Sequence, residues 1–335
     1  MFIRRRKSWE ISENSTTSES AFLNRRQIIK AAGLGAIGAG IGVGSQGLFE
    51  MDAHAQAAGG NAGLESLTDL FPAKTNPAFA DAGRAVTDEI VNTTYNNFYE
   101  FASHKQIWKA AQKLELSPWD VVIDGDVEEP ITIGVEDLIR KMPIEERIYR
   151  HRCVEAWAMT VPWTGFPMAE LVKFAKPTSK AKYVRMETFM KPGEAPGQRS
   201  SWNPWPYVEG VTLEEAQNDL AFLVTGAYGK PLHKQFGAPL RLAMPWKYGF
   251  KHIKSLVKIT FTDQRPVSFW EQINAREYGF WANVNPGVPH PRWRQDQERL
   301  LGLDTYQPTQ IFNGYQEQVA GLYKNMDDVG QALYR

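Results

Sequence analysis

The 335-residue chain contains a single cysteine, Cys153. An intramolecular disulfide is therefore impossible, and the fold has to be held by burial and hydrogen bonding. Hydrophobic residues make up 43% of the chain, enough for a proper core, and the length allows one large domain or two modest ones. The 20 prolines and 11 tryptophans point to long ordered loops rather than a plain helix bundle. Lys+Arg and Asp+Glu both number 38, so the net charge is zero. That balance argues against a nucleic-acid binder, which carries a basic excess.

The first 55 residues read as an address. Arg25-Arg26 stand in a charged stretch, a Gly/Ala-rich apolar run follows from Ala31 to about Phe49, and Ala53-His54-Ala55 is a small-x-small cleavage site. This is the order of a cleaved secretory signal, and the paired arginines mark the twin-arginine kind, so the twin-arginine translocase is an expected partner. The alternative is a membrane-spanning helix, but the many glycines, with Ser45 and Gln46, make a poor one. Twin-arginine export carries folded proteins and suits a chain whose cofactor is inserted in the cytoplasm. The expected location is the periplasm.

Residues 56–94 are Ala/Gly/Asn/Pro-rich and read as an extended arm with a short helix around Leu64–Leu70. Residues 95–335 are expected to form one α+β domain with mixed sheets and much irregular surface. Strands are predicted over 119–124, 147–154, 183–189, 220–225, 240–245 and 253–261. Helices are predicted over 135–141, 165–174 and 213–217, and a loop or lid over 191–207.

Most of the chemistry gathers around Ile148-Tyr149-Arg150-His151-Arg152-Cys153-Val154-Glu155-Ala156-Trp157. In an extended strand Tyr149, His151 and Cys153 share one face and Arg150 and Arg152 the other. Nearby cations lower a thiol's pKa, and a thiolate is a soft metal ligand. Three readings of Cys153 remain open at this level: a small buried core residue, a nucleophile with His151 as base, and a metal or cofactor ligand. The six histidines are scattered, so a protein-only metal site lacks the usual spacing and further ligands would come from a cofactor. Glu155 reads as the buried partner of an arginine, or as a proton relay. Gly237-Ala238-Pro239-Leu240-Arg241 sets an arginine behind a fixed turn; it is either a surface ion pair or a phosphate clamp. The basic turn 246–255 is either solvated or an anion cradle. Asn96, Tyr99 and Glu100 offer donors and acceptors to a pterin edge, or belong to an aromatic core.

Several blocks, all in one order, resemble the catalytic subunits of the periplasmic methionine-sulfoxide reductases, molybdopterin enzymes of the sulfite-oxidase fold. The blocks are YNNFYEF (95–101), EERIYRHRCVEAWAM (145–159), VPWTGFP (161–167), PTSKAKYVRMET (177–188), PYVEGVTLEEA (206–216), PWKYGFKHIKS (245–255), EYGFWANVNP (277–286) and HPRW (290–293). The resemblance covers about 95–323 and implies a single sulfite-oxidase-like molybdopterin-binding domain. It implies that Cys153 is the sole protein ligand to molybdenum. It implies cofactor contacts from Asn96, Tyr99, Glu100, Thr188, Arg241, His252, Ile253 and Lys254. At Phe236 the family pattern has a polar residue such as Asn, so Phe236 can offer only its backbone.

The resemblance further implies a Mo-molybdopterin cofactor and reduction of methionine sulfoxide in exported proteins, with oxidised periplasmic proteins as substrates. Electrons would come from a haem-b-containing membrane subunit and the quinone pool. Residues 277–293 are expected at the mouth. One rival is an oxotransferase acting on sulfite or small S- and N-oxides; another is a non-enzymatic periplasmic ligand-binding protein.

Overall fold

A computed structural model describes residues 64–335. The signal segment 1–55, with Arg25-Arg26 and the cleavage site, lies outside the described residues, as do residues 56–63 of the arm. Among the described residues twelve strands form two mixed sheets. In chain order they are β1 (Asp120–Gly125), β2 (Ile131–Gly134), β3 (Glu145–Arg152), β4 (Trp157–Pro167), β5 (Tyr183–Thr188), β6 (Val208–Thr212), β7 (Phe222–Ala227), β8 (Lys230–Pro231), β9 (Arg241–Ala243), β10 (Leu256–Thr262), β11 (Gln297–Leu300) and β12 (Tyr306–Pro308).

One sheet has the order β2-β1-β10-β5-β6, with β1 and β10 parallel. The other runs β12-β11-β4-β7-β8, with β3 paired to β4 and β9 to β7. The fold is α+β, with mixed sheets and long irregular connections, as the sequence predicts. Alternation explains several strands directly: β1 turns Val121 and Ile123 into the core, and β5 turns in Val184 and Met186. The helix Met168–Ala175 buries Met168, Leu171, Val172 and Ala175, one face at i, i+3, i+4 and i+7. It ends at Lys176, whose φ of 50° is left-handed.

Several boundaries differ from expectation; the strands predicted over 147–154 and 220–225 run Glu145–Arg152 and Phe222–Ala227. The helix predicted over 165–174 starts at Met168 because Gly165, Phe166 and Pro167 finish β4. A Cβ at Gly165 would lie 2.0 Å from the Leu223 carbonyl oxygen, so glycine lets β4 close on β7. The strand predicted over 253–261 begins at Leu256, after a 3-10 turn at Gly249–Lys251 and a left-handed Ser255 (φ 49°). The strand predicted over 240–245 shortens to Arg241–Ala243. The 64–70 helix is a 3-10 helix, Glu65–Leu70, with Leu67 buried beneath it.

The segment from residue 64 to 94 runs along the second sheet. Glu146 N–H donates to the Lys74 carbonyl (2.9 Å), Asn76 N–H to the Glu146 carbonyl (2.8 Å), and Thr87 N–H to the Thr160 carbonyl (3.0 Å).

Candidate active site

Strands β3 and β4 form a hairpin whose tip is Cys153–Ala156. Cys153 N–H donates to the Trp157 carbonyl (2.9 Å), and Ala156 N–H donates back to the Cys153 carbonyl (3.0 Å). Ala156 sits at φ 62°, the left-handed residue that closes a three-residue hairpin loop. The tip carries the thiol into a cavity of about 840 Å³, open mouth included.

That cavity gathers residues far apart in sequence. Asn96, Tyr99, Glu100, Cys153, Phe236, Arg241, His252, Ile253 and Lys254 all line it. Thr188 does not; its hydroxyl donates to the Ser255 carbonyl (3.4 Å), and it acts on the Glu100 carboxyl beside it, lowering its pKa against burial. The carbonyl of Phe236 lies 2.8 Å from Arg241 Nη1 and accepts from it, so the backbone of Phe236 orients the arginine. Of residues 277–293, Tyr278 reaches the lining. Tyr149, on the same strand face as His151, does not line the cavity. It bonds Arg147 (2.8 Å) and packs on Phe79 and Phe222.

Burial of the thiol outweighs Lys105 and Arg152, which act to lower its pKa as nearby cations do. Arg152 is wholly buried and turned to Glu298 (2.9 Å), the Gln295 side chain and the Cys153 carbonyl. Arg150 bonds the carbonyls of Ala82 (2.6 Å) and Asn313 (3.3 Å). Burial, reinforced by the Glu155 carboxylate, pushes the Cys153 thiol up to about 12. Without a metal to hold it deprotonated the group is therefore a thiol, unsuited to act as a free nucleophile at neutral pH.

Glu155 also departs from expectation, since its partner is a lysine. Lys105 pairs with Glu155 Oε2, and Trp157 Nε1 (2.9 Å) and Asn97 Nδ2 (3.3 Å) donate to the same oxygen. Burial works to raise this carboxyl, but those hydrogen bonds outweigh it and hold it below its usual range. The Glu155 oxygen lies 3.7 Å from Cys153 Sγ, which also accepts from Glu155 N–H (3.5 Å) and Asn97 Nδ2 (3.6 Å). Asn97 lies within YNNFYEF and its role could have been sought there. Lys105 carried no local signal, being 50 residues from Glu155.

At the cavity wall two cations, buried Arg241 and part-buried Lys254, have no carboxylate partner at ion-pair distance among the described residues. Arg241 spends its donors on the carbonyls of Phe236, Leu242 and His252, and its guanidinium lies over the Trp163 ring. Burial pulls it down to about 9. Lys254 faces the Phe98 ring; burial, then Arg241, pulls it down, and burial pushes nearby Glu100 up. His151 and His252 are held well below the usual imidazole range, chiefly by burial. No group of three or more His, Cys, Asp or Glu is placed to hold a metal among the described residues.

Residues 108–270 match the family described as the oxidoreductase molybdopterin binding domain. The chain carries a molybdopterin-binding oxidoreductase domain, and its cofactor is a molybdopterin. The match includes Cys153, Thr188, Phe236, Arg241 and His252–Lys254 and stops before residues 277–293. Among solved structures the chain is similar to the sulfane dehydrogenase SoxCD from Paracoccus pantotrophus, at 16% identity, with a TM-score of 0.42. That alignment covers 68% of this chain and 57% of the other, so the chain spans less than two thirds of that relative.

The cavity residues fit such a group. Asn96 Oδ1 is buried with no hydrogen-bond partner, an expensive state for an amide unless a ligand donor meets it. Two cations with no carboxylate at ion-pair distance suit a phosphate, and one soft sulfur suits molybdenum.

Proposed function

We propose that this protein is a molybdopterin-dependent reductase of methionine sulfoxide in exported proteins. The observation that carries the proposal is the joining, in one cavity, of the Cys153 sulfur with the unpaired cations Arg241 and Lys254. Cys153 would ligate the metal, Arg241 and Lys254 the phosphate, and Asn96, Tyr99, Glu100, His252 and Ile253 the pterin. When bound, the cofactor supplies oxygen-atom transfer: two electrons and two protons turn the sulfoxide into the thioether and water.

The remaining work falls to side chains of this chain. Tyr99, Tyr207, Phe250, Trp270 and Tyr278 give the cavity an aromatic lining. Such a lining receives the apolar arms of a methionine sulfoxide. Glu155, fixed by Lys105, Asn97 and Trp157, keeps a carboxylate against the sulfur and holds a proton acceptor there. The eight sequence blocks support the specific substrate. They also support electrons from a haem-b membrane subunit, while the signal-like segment with Arg25-Arg26 supports a periplasmic location and delivery by the twin-arginine translocase. No helix among the described residues is long and apolar enough to cross a membrane.

The test is turnover by the full chain, loaded with cofactor and driven by a reduced dye. An oxidised protein rich in methionine sulfoxide should be reduced faster than small S- or N-oxides, and sulfite should not be oxidised. Sulfite oxidation exceeding sulfoxide reduction would sink the proposal in favour of the sulfite rival. For the address, Arg25-Arg26→Lys-Lys should leave the protein in the cytoplasmic fraction; normal export of that variant refutes the twin-arginine reading.

A further inference from the structure

His151 and His252, from β3 and the basic turn, form a buried imidazole pair in the wall of the cavity. Their Nδ1 atoms lie 3.2 Å apart and their rings meet edge to face at 4.9 Å. Neither the family match nor the resemblance gives His151 a role.

The hydrogen-bond chain has a direction. His252 Nε2 lies 2.8 Å from the Met244 carbonyl oxygen, which can only accept, so Nε2 carries the hydrogen. The Met244 N–H also lies 3.4 Å from that nitrogen, but the longer contact would require a lone pair facing the carbonyl. With Nε2 protonated, neutral His252 presents a lone pair at Nδ1. His151 must then donate from its own Nδ1, which leaves His151 Nε2 as an acceptor.

His151 Nε2 has no hydrogen-bond partner among the described residues, and the residue lines the cavity. The chain beside it is Gly249, where a Cβ would stand 2.6 Å from this nitrogen. Any other residue there would crowd the acceptor. A neutral acceptor lone pair repels a phosphate oxygen and attracts an N–H.

We propose that His151 is a cofactor-binding residue, its Nε2 accepting a hydrogen bond from a pterin N–H, with His252 and the Met244 carbonyl fixing its tautomer. This rests on the molybdopterin-binding domain and is independent of the substrate. The two cations then select the phosphate end of the cofactor, and the imidazole pair selects the ring end.

The test compares His151→Met, an apolar side chain that fills irregular space, with His151→Gln, whose amide oxygen can accept. The full chain is purified with cofactor and cofactor-free. Pterin release is followed by fluorescence, and Tm is measured for both forms. A buried hydrogen bond of ordinary strength corresponds to about five-fold faster release in His151→Met. The Tm gain on loading should shrink, the cofactor-free Tm should hold, and His151→Gln should recover most of the retention. Wild-type release from His151→Met would overturn the proposal, as would an equal Tm loss in the loaded and cofactor-free forms. Sulfoxide turnover is not read, so failure of the substrate assignment would leave this result standing.

Discussion

At Lys254 a part-buried ammonium group stands beside Arg241 with no carboxylate at ion-pair distance among the described residues, an arrangement that helps the fold little until an anion arrives. Replacing a buried charge with an apolar group of similar size is often neutral, or stabilising by about 1–4 kcal/mol. Lys254→Met should therefore hold or raise the Tm of the cofactor-free protein while lowering the molybdopterin content of the loaded protein. Calorimetry paired with cofactor assay checks this. A cofactor-free form that loses Tm while cofactor content stays whole would show a structural lysine. The same logic separates Lys254 from Lys251, whose buried pairing with Glu209 (2.6 Å) is complete without a ligand. It also separates Lys254 from Lys247, which is closed by Glu215 (2.5 Å) and Asn283 (3.0 Å).

The β3–β4 hairpin is the element that makes the site, and its tip carries a local cost. Ala156 is held at φ 62°, where a Cβ is disfavoured by about 1 kcal/mol. Ala156→Gly should stabilise the protein by up to about 1 kcal/mol, a Tm rise of about 2 °C for a domain of this size. Thermal melts check it, and a fall in Tm would show that the alanine methyl packs usefully. This hairpin was half legible in the sequence. β3 alternates visibly, but β4 is buried along nearly its whole length and contains Pro162, so it has neither period nor polar face. β6, at the end of the proline-rich loop, and the short strands β11 and β12 were hidden for lack of length. The cysteine and the cavity's pterin-side residues could be read because they sit in distinctive blocks. Lys105 and the pairing of His151 with His252 could not, because the partners lie 50 and 101 positions apart and meet only on folding.

Across the whole molecule, burial of neutral histidines links stability to pH. His233, outside the cavity, is buried and its pKa is lowered, first by desolvation. A histidine depressed in the folded state binds fewer protons there than when unfolded. Its contribution is complete above the unfolded value near 6.5 and is lost as pH falls below it. Each such group adds up to about 1.4 kcal/mol per pH unit to the acid slope. His233→Asn should therefore lose less stability than the wild type between pH 7 and pH 5 in denaturant melts; identical slopes would contradict a neutral buried His233. Glu100 and Glu209, pushed up by burial, act in the opposite sense, so the comparison between variants is the informative one.

Strands β3, β4 and β9, residues 95–100 and the basic turn converge on one cavity whose sulfur and cations make chemical sense together only around a metal-bearing, phosphorylated cofactor. The most direct test is elemental and spectroscopic: molybdenum content of the mature protein from its native compartment, with X-ray absorption at the molybdenum edge, beside Cys153→Ser. The account predicts about one molybdenum per chain in the wild type. It predicts one fewer sulfur neighbour in the variant and at least about a hundred-fold loss of turnover, since even outer partners of a metal ligand are worth 10–100-fold. A folded protein without molybdenum, or a Cys153→Ser variant with an unchanged sulfur shell, would contradict it.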